Sequence, residues 1–372
     1  MNILFKYLSS EPLQNAIACL NYEFDQVVLY ANISVINKQH SLKKLLLDKC
    51  SVKSVKFFNL DNASINELIE RINRNTRNDK VFIDFTGCEG ICSSAFIEAC
   101  SEYNLCGFTY DIYRDEVISL FKSDLYSLKD VTYRKVKLSI DDYIQIAGGV
   151  IREDLSKNYK SGINDEDFKK VSAFKERYKH SWPYFSSVMQ VIHNRTTNTV
   201  DCPKIDMILH ENDYHITKPL LIDMLRSLNR INLINNLDLK NGISFEFKNE
   251  YVKAFIIDPG SIFERKVYLK EKKDSDECKI GVHLDWDGIV LKDTSKDVYN
   301  EIDILKLNNY FLTFISCKDT IKFNKYSLYE LESIASRFGG KFCKMKLVCT
   351  CDVSDADKQR AKSMGIEIIN HI

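Results

Sequence analysis

Apolar residues in the first part of the chain alternate between short continuous runs and runs with helical spacing. The short runs predict strands and have the sequences NILFKYL, QVVLYAN, SVKFFNL, KVFIDFTG and GFTYDIY. The segments between them, such as EPLQNAIACLNYEF and SINELIERINRN, repeat their apolar residues every three or four positions. This alternation is typical of βαβ units with a mostly parallel sheet. We therefore predict a Rossmann-like α/β domain over residues 1–145.

The pattern changes over residues 146–249, where charged segments with helical spacing dominate. An aromatic stretch, RYKHSWPYFSS, interrupts them. We interpret this region as a helical connector or small wedge, because its apolar residues follow the helical period in most places.

Residues 250–372 predict an α+β domain, in which a helix begins just after Gly260 and two hairpins follow. The first hairpin joins CKIGVHLD to GIVLKD around Asp287 and Gly288, since Asp-Gly favours tight turns. After the hairpins come a helix in SLYELESIASRF, a strand in KMKLVCT, a helix in DADKQRAKSMG and a strand in IEIIN.

The second hairpin joins EIDILKL to YFLTFISCK around Asn308 and Asn309. Strand alternation would place Ile302 and Ile304 on one face and Asp303 on the other. Alternation in the partner strand would put Ser316 and Lys318 on a shared face, so that Asp303 and Lys318 converge.

A carboxylate beside an ammonium at one sheet edge is suited to metal-dependent phosphodiester hydrolysis. Carboxylate and backbone carbonyl oxygens bind hard cations, and the ammonium of Lys318 can offset charge on the reacting phosphate. Glu264, in the first turns of the preceding helix, is a further candidate ligand. Glu330, on the following helix, is positioned to support Lys318, or is a solvated carboxylate. The alternative is an ordinary cross-strand charge pair between Asp303 and Lys318.

The segments GSIFE, NEIDIL and FISCKD together resemble the restriction-endonuclease-like, or PD-(D/E)xK, nucleases. The resemblance implies metal-associated carboxylates at Glu264 and Asp303, a carbonyl ligand at Cys317 and a catalytic Lys318. The family pattern has an acid where this chain has Ser316. The serine therefore leaves one ligand absent or replaced by a weaker contact.

Two polar loops follow the first and fourth predicted strands. Ligands of open α/β sheets bind at the carboxyl ends of strands, and glycine-rich turns before helices present N–H groups to phosphates. The alternative is that these residues only cap helices and form turns. The candidate ligand residues are Ser9, Ser10, Glu11, Asn15, Thr86, Gly87, Cys88, Glu89, Gly90 and Ile91.

These loops resemble those of the CRISPR-associated Rossmann-fold (CARF) domain. The similarity includes Ser9, Ser10 and Asn15 in the first loop, and Thr86 and Gly87 in the second. The sequence Cys-Glu-Gly then replaces the family's Gly-Thr-Lys, so a basic contact to phosphate is absent.

The two domains in one chain resemble the cyclic-oligoadenylate-activated ancillary nucleases of type III CRISPR systems. The resemblance implies a homodimer that binds a cyclic oligoadenylate, usually cyclic tetra-adenylate, across its two-fold axis. It also implies Mn²⁺- or Mg²⁺-dependent cleavage of single-stranded DNA or RNA. The alternative is a catalytically inactive CARF-type sensor, because Ser316 replaces the acid. Slow cleavage of the cyclic ligand by the first domain stays open.

The composition is that of an ordinary soluble globular protein, with 45% hydrophobic and 28% charged residues. The 52 basic residues balance 52 acidic ones, which argues against a general basic surface for nucleic acid but permits a local basic groove. No signal peptide or membrane span is predicted. The 12 cysteines include no C-x-x-C pair, so we predict structural thiols in a reducing, cytoplasmic compartment.

Three other functions are disfavoured. LDWDGIVLKD resembles the nucleophile loop of haloacid-dehalogenase-like phosphatases, but that loop belongs after the first strand of a parallel sheet. The segment GCEG lacks the Lys-Ser/Thr of a P-loop. No G-x-G-x-x-G follows the first predicted strand, which argues against dinucleotide binding.

Overall fold

The computed structural model describes residues 1–32, 36–61, 63–153, 159–196, 204–207, 218–240, 242–258, 260–291 and 297–370. The N-terminal sheet has the strand order β3-β2-β1-β4-β5-β6, and β6 alone pairs antiparallel with its neighbour. Its strands are β1 (Asn2–Tyr7), β2 (Gln26–Ala31), β3 (Ser54–Asn59), β4 (Lys80–Asp84), β5 (Cys106–Asp111) and β6 (Glu116–Phe121). Its helices are α1 (Pro12–Asn21), α2 (Ile36–Lys49), α3 (Ile65–Thr76), α4 (Gly90–Glu102) and α5 (Ile140–Ile146).

This sheet confirms the Rossmann-like prediction and adds one strand to it. Strand β6 was not predicted, because its residues are mostly exposed and lack clear alternation. The strand folds back from β5 through a turn in which Asp115 has φ 55°. An edge strand packs one face at most, so its apolar pattern is weak.

The middle region contains helices and also a small antiparallel sheet with the order β8-β10-β9. Its strands are β8 (Lys204–Met207), β9 (Ile234–Asp238) and β10 (Ile243–Phe247). Its helices are α6 (Tyr159–Gly162), α7 (Asp165–Arg177), α8 (Trp182–Thr196), α9 (Lys218–Arg230) and α10 (Glu250–Ile257). Phe168, Trp182, Phe245 and Phe255 share one buried cluster. The predicted helical connector is therefore wrong in its fold: the region is a small α+β unit with its own core, and α10 packs into that core.

The C-terminal sheet has the order β15-β14-β13-β12-β11-β7. Its strands are β7 (Val150–Ile151), β11 (Glu277–Asp285), β12 (Tyr299–Asn308), β13 (Phe311–Lys318), β14 (Lys344–Cys349) and β15 (Ile366–Asn370). Its helices are α11 (Ser261–Glu271), α12 (Tyr326–Gly339) and α13 (Asp355–Ser363). Helix α11 packs on one face through Phe263 and Val267, against Ile304 and Ile315. On the other face, Leu305 and Phe338 join a cluster that continues into the N-terminal domain.

The predicted hairpin around Asp287 and Gly288 is wrong. Strand β11 pairs directly with β12, and residues 288–291 form no strand, while residues 292 and 293 of the predicted strand lie outside the described residues. The Asp285 carboxylate accepts a hydrogen bond from Gly288 N at 2.6 Å, and Asp287 accepts one from Ile289 N at 2.8 Å. Local side-chain contacts thus satisfy the loop amides that a strand ladder would otherwise use.

The second hairpin is present, with a shift of one residue in its turn. Asn308 still pairs with Phe311, so the turn residues are Asn309 and Tyr310. Asn309 has φ 52°, a conformation that asparagine tolerates better than most residues.

Two further features bear on the sequence predictions. No helix within the described ranges is long and apolar enough to cross a membrane. The cysteines of those ranges are free thiols, and most are buried.

Candidate functional site

The two predicted ligand loops lie side by side because β1 pairs with β4 in parallel. Lys6 at the end of β1 lies opposite Asp84 at the end of β4. This is the switch point of the sheet, where strand order reverses and a crevice opens. A Cβ on Gly87 would come within 2.3 Å of Gln14 Oε1 and 3.2 Å of Ser9 Oγ, so the loops are in close contact.

A buried ion pair supports the second loop from below. Lys6 Nζ lies 2.5 Å from Asp84 Oδ2 and donates to the Thr86 carbonyl at 3.2 Å. Asp84 Oδ1 accepts from Thr86 N at 2.7 Å, and the Thr86 hydroxyl accepts from Tyr110 N at 2.8 Å. These hydrogen bonds fix the conformation of the second loop, and Thr86 is only 2% exposed.

The first loop is fixed by reciprocal contacts between Ser9 and Asn15. Ser9 N donates to Asn15 Oδ1 at 2.8 Å, and Asn15 Nδ2 donates back to the Ser9 carbonyl at 2.9 Å. Both residues are buried. Their side chains therefore shape the loop more than they present groups to a ligand.

The exposed candidates are one residue of the first loop and three residues at the start of α4. Ser10, Glu89, Gly90 and Ile91 are exposed. Gly90 has φ 60°, and a Cβ added to it would meet no atom of the described residues within 4 Å beyond its immediate chain neighbours. Glu89 accepts a hydrogen bond from Tyr7 at 3.3 Å. Backbone N–H groups in the first turn of a helix favour anions such as phosphate.

Two of the predicted ligand residues have properties that do not suit direct phosphate binding. Burial raises the pKa of the Cys88 thiol to about 11, so it is neutral near pH 7. The Glu11 carboxylate accepts a hydrogen bond from Lys341 N at 2.8 Å. Lys341 belongs to the turn after α12, so Glu11 joins the crevice to the C-terminal domain.

The second candidate site lies where β12 and β13 end their ladder. The last paired residues are Ile304 and Ile315. Just beyond them, Asp303 Oδ2 accepts from Cys317 N at 2.6 Å and from the Ser316 hydroxyl at 3.3 Å. Burial raises the pKa of Asp303, whereas the Cys317 N–H and the Lys318 charge lower it.

The predicted alternation across Asp303 is wrong. Ile304 packs under α11, but Ile302 belongs to the cluster on the opposite face. Opposite Asp303, Gly281 has φ 63°, and the ladder passes from Ile280 to Val282 without a pair there. The resulting kink turns the polar end of β12 relative to its buried part.

Glu264 lies in the first turn of α11 and is only 8% exposed. Its Oε2 is 2.5 Å from Lys160 Nζ, which is also 3.2 Å from Glu301 Oε1. Burial and the charge of Asp303 raise the pKa of Glu264 to about 7, against the opposing effect of Lys160.

A polar groove opens beside Lys318. Lys318 is 34% exposed and its Nζ lies 3.9 Å from Glu330 Oε2. The predicted proximity of these two residues is thus observed. The groove is lined by Cys317, Lys318, Asp319, Thr320, Lys322, Asn324, Tyr326, Ser327 and Glu330.

The donors at this edge match a hard cation in kind, since Glu264, Asp303 and the Cys317 carbonyl offer oxygen atoms. Within the described residues, however, no three His, Cys, Asp or Glu side chains are arranged to hold a metal ion. The ammonium of Lys160 already neutralises Glu264. Sequence reasoning missed Lys160 because it is distant in sequence and carries no motif; it also missed Lys6, Gln14 and Glu301.

Two of the solved structures that match this chain share its fold over nearly the whole length. Protein VC1899 from Vibrio cholerae matches with a TM-score of 0.69 and 17% identity, covering 100% of this chain and 94% of its own. Can2 from Sulfobacillus thermosulfidooxidans, in complex with cyclic tetra-adenylate, matches with a TM-score of 0.68 and 15% sequence identity. The match covers 99% of this chain and 95% of the Can2 chain. A type III CRISPR defence DNA nuclease activated by cyclic oligoadenylate matches more weakly, with a TM-score of 0.49 and 11% sequence identity. That match covers 95% of this chain and 46% of the nuclease chain.

No family model and no curated protein matches this chain. The shared fold with Can2 confirms the predicted fold class of a Rossmann-like domain followed by an α+β domain, and it confirms the resemblance at the level of fold.

Proposed function

We propose that this protein is a nuclease of type III CRISPR defence that a cyclic oligoadenylate activates, with cyclic tetra-adenylate as the first ligand to test. The observation that carries the proposal is the meeting of Glu264, Asp303 and Lys318 around one sheet edge. The same chain has a polar crevice at the β1–β4 switch point. Its fold is shared with Can2, which was solved with cyclic tetra-adenylate.

The crevice is the proposed sensor. Phosphates of the ligand would meet the N–H groups at the start of α4, beside Ser10, Gly90 and Ile91. A cyclic ligand with two-fold symmetry suits a homodimer whose two crevices face each other. Buried thiols are compatible with the cytoplasmic location that we infer.

The sheet edge is the proposed nuclease centre. Glu264, Asp303 and the Cys317 carbonyl would hold Mn²⁺ or Mg²⁺; such an ion, when bound, polarises the phosphate and activates water. Lys318 faces the groove and would stabilise negative charge on the phosphate of single-stranded DNA or RNA. Ser316 donates to Asp303 and so helps to orient that carboxylate.

The test incubates the full chain with Mn²⁺ and labelled single-stranded DNA and RNA, with and without cyclic tetra-adenylate. Cleavage is expected only with the ligand. Lys318→Ala should lose at least about 100-fold in rate, since a charge-stabilising donor is removed, while ligand binding by calorimetry stays unchanged. Lys322→Ala, in the same groove, is the matched control and should keep most of the activity.

Ser316 in place of the expected acid favours one second candidate, a sensor that binds nucleic acid or a partner without cutting it. The same experiment decides between them. Tight ligand binding with no cleavage in any lane contradicts the nuclease proposal and supports the sensor. Full activity of Lys318→Ala contradicts the assigned role of that residue.

A further inference from the structure

The ammonium of Lys160 lies among three carboxylates beside the proposed nuclease centre. Its Nζ is 2.5 Å from Glu264 Oε2, 3.2 Å from Glu301 Oε1 and 3.9 Å from Asp258 Oδ2. The side chain is only 19% exposed, so salt screens these contacts weakly. Lys160 is thus the shared charge partner of three carboxylates, of which Glu264 is also a proposed metal ligand.

The backbone opposite Lys160 leaves space for its aliphatic stem. A Cβ on Gly281 would lie 3.4 Å from Lys160 Cδ, and Gly281 has φ 63°. Glycine satisfies the left-handed conformation, and the distance to the stem is an ordinary van der Waals contact. The stem of Lys160 therefore passes close to β11 while its ammonium meets the carboxylates.

The positive charge of Lys160 is directed at the carboxylates of the proposed nuclease centre. It pairs directly with Glu264, and its second partner, Glu301, lies two residues before Asp303 on β12. The ammonium therefore compensates carboxylates that a bound cation would otherwise neutralise.

We propose that Lys160 is an internal cation that competes with a divalent metal ion for the Glu264 carboxylate. The proposal rests on the proposed nuclease function, because it concerns the same carboxylates. Two positive charges in contact with one carboxylate oxygen would repel each other strongly at this buried position. A divalent ion that bound at Glu264 Oε2 would therefore have to displace the Lys160 ammonium from that oxygen.

The test measures Mn²⁺ binding to the full chain, through loss of the electron paramagnetic resonance signal of free Mn²⁺. Lys160→Met removes the charge but keeps the length, and should bind Mn²⁺ about tenfold more tightly or better. Lys160→Gln keeps a hydrogen-bond donor, so it covers the case in which the Met variant fails to fold; it should shift affinity in the same direction.

Lys346→Met is the matched control. Lys346 pairs with the buried carboxylate of Glu271 at 2.7 Å in the same sheet, and Lys306 continues to pair with that carboxylate at 2.9 Å. Its Mn²⁺ affinity should equal that of the wild type. An equal gain in this control would overturn the specific role of Lys160.

The remaining outcomes each support or overturn the proposal. A gain in Lys160→Met that disappears on adding Glu264→Gln supports competition at that carboxylate. Unchanged or weaker Mn²⁺ binding in both Lys160 variants overturns it, as does a gain that survives Glu264→Gln or an absence of Mn²⁺ binding in every variant. The readout is Mn²⁺ binding and not cleavage. A protein that never cuts nucleic acid can therefore still show the expected gain in Mn²⁺ affinity, so failure of this proposal is distinguishable from failure of the nuclease proposal.

Discussion

Lys6 and Asp84 form a fully buried ion pair beneath the candidate ligand crevice, with both side chains 0% exposed. A buried pair adds little net stability by itself, but removal of one partner leaves an uncompensated charge. The Asp84 carboxylate also accepts a hydrogen bond from Thr86 N, so the pair holds the second loop in place. The pair therefore links stability of the domain to the shape of its crevice.

We predict that Lys6→Met lowers the free energy of unfolding by about 3–5 kcal/mol, because Asp84 loses its buried partner. Urea denaturation at pH 7 measures the change. Lys53→Met is the control: Lys53 pairs with Asp25 at 2.6 Å but is 77% exposed, so its loss should cost far less stability than the loss of Lys6. Equal costs for the two variants would contradict the assigned role of burial.

At this scale the sequence identified the charged candidates but not their partners. Asp303 and Lys318 were predictable, because a hairpin places its strand ends together. Lys160 was not, since its neighbours Glu264 and Glu301 are 104 and 141 residues away along the chain.

Among the elements, helix α4 gives the most direct prediction about the proposed ligand crevice. Its first turn exposes Ile91, 37% accessible, beside Gly90 and Glu89, while Ile97 is 49% exposed further along the same helix. The N-terminal N–H groups favour an added anion, so a carboxylate there should not harm folding.

We predict that Ile91→Glu weakens binding of cyclic tetra-adenylate by about tenfold or more, because the new carboxylate repels the ligand phosphates. Isothermal calorimetry measures the affinity. Ile97→Glu adds the same charge outside the first turn and should leave affinity nearly unchanged. Similar losses in both variants would argue for a general charge effect and against a ligand site at the start of α4.

In strand β12, the apolar pattern did not predict correctly which face of the sheet each side chain occupies. Alternation predicted Ile302 and Ile304 on one face, but a kink opposite Gly281 separates them. A lone glycine in a strand signals weakness or a bulge, but the pattern does not give the direction of the turn. Pairing with β11 determines it.

Across the whole molecule, side-chain contacts join the N-terminal Rossmann-like domain to the C-terminal α+β domain. Glu11 accepts from Lys341 N at 2.8 Å, and Tyr310 donates to Asn21 at 3.1 Å. Tyr113 stacks on Phe311 with ring centroids 5.8 Å apart. These contacts offer a physical route by which ligand binding at the first loop could favour one arrangement of the second domain.

We predict that Glu11→Ala reduces the stimulation of cleavage by cyclic tetra-adenylate about fivefold or more, with ligand affinity changed less, because the link to Lys341 is lost. Cleavage rates with and without ligand are compared with calorimetric affinities. Glu98→Ala, an exposed carboxylate on α4, is the control. Equal effects of Glu11→Ala on affinity and stimulation would instead place Glu11 in the ligand site.

The sequence by itself determined the elements whose apolar pattern is local: the βαβ repeat, the helix that begins at Ser261, and the hairpin that ends in Lys318. It also placed both candidate loops at the carboxyl ends of the first and fourth strands, where ligands of open α/β sheets bind. The pairing of β1 with β4, which brings the two loops together, came from the tertiary structure. Tertiary structure alone decided the small sheet of the middle region, the kink at Gly281 and the seating of Lys160. These depend on pairing and charge contacts between distant segments, which no local period encodes.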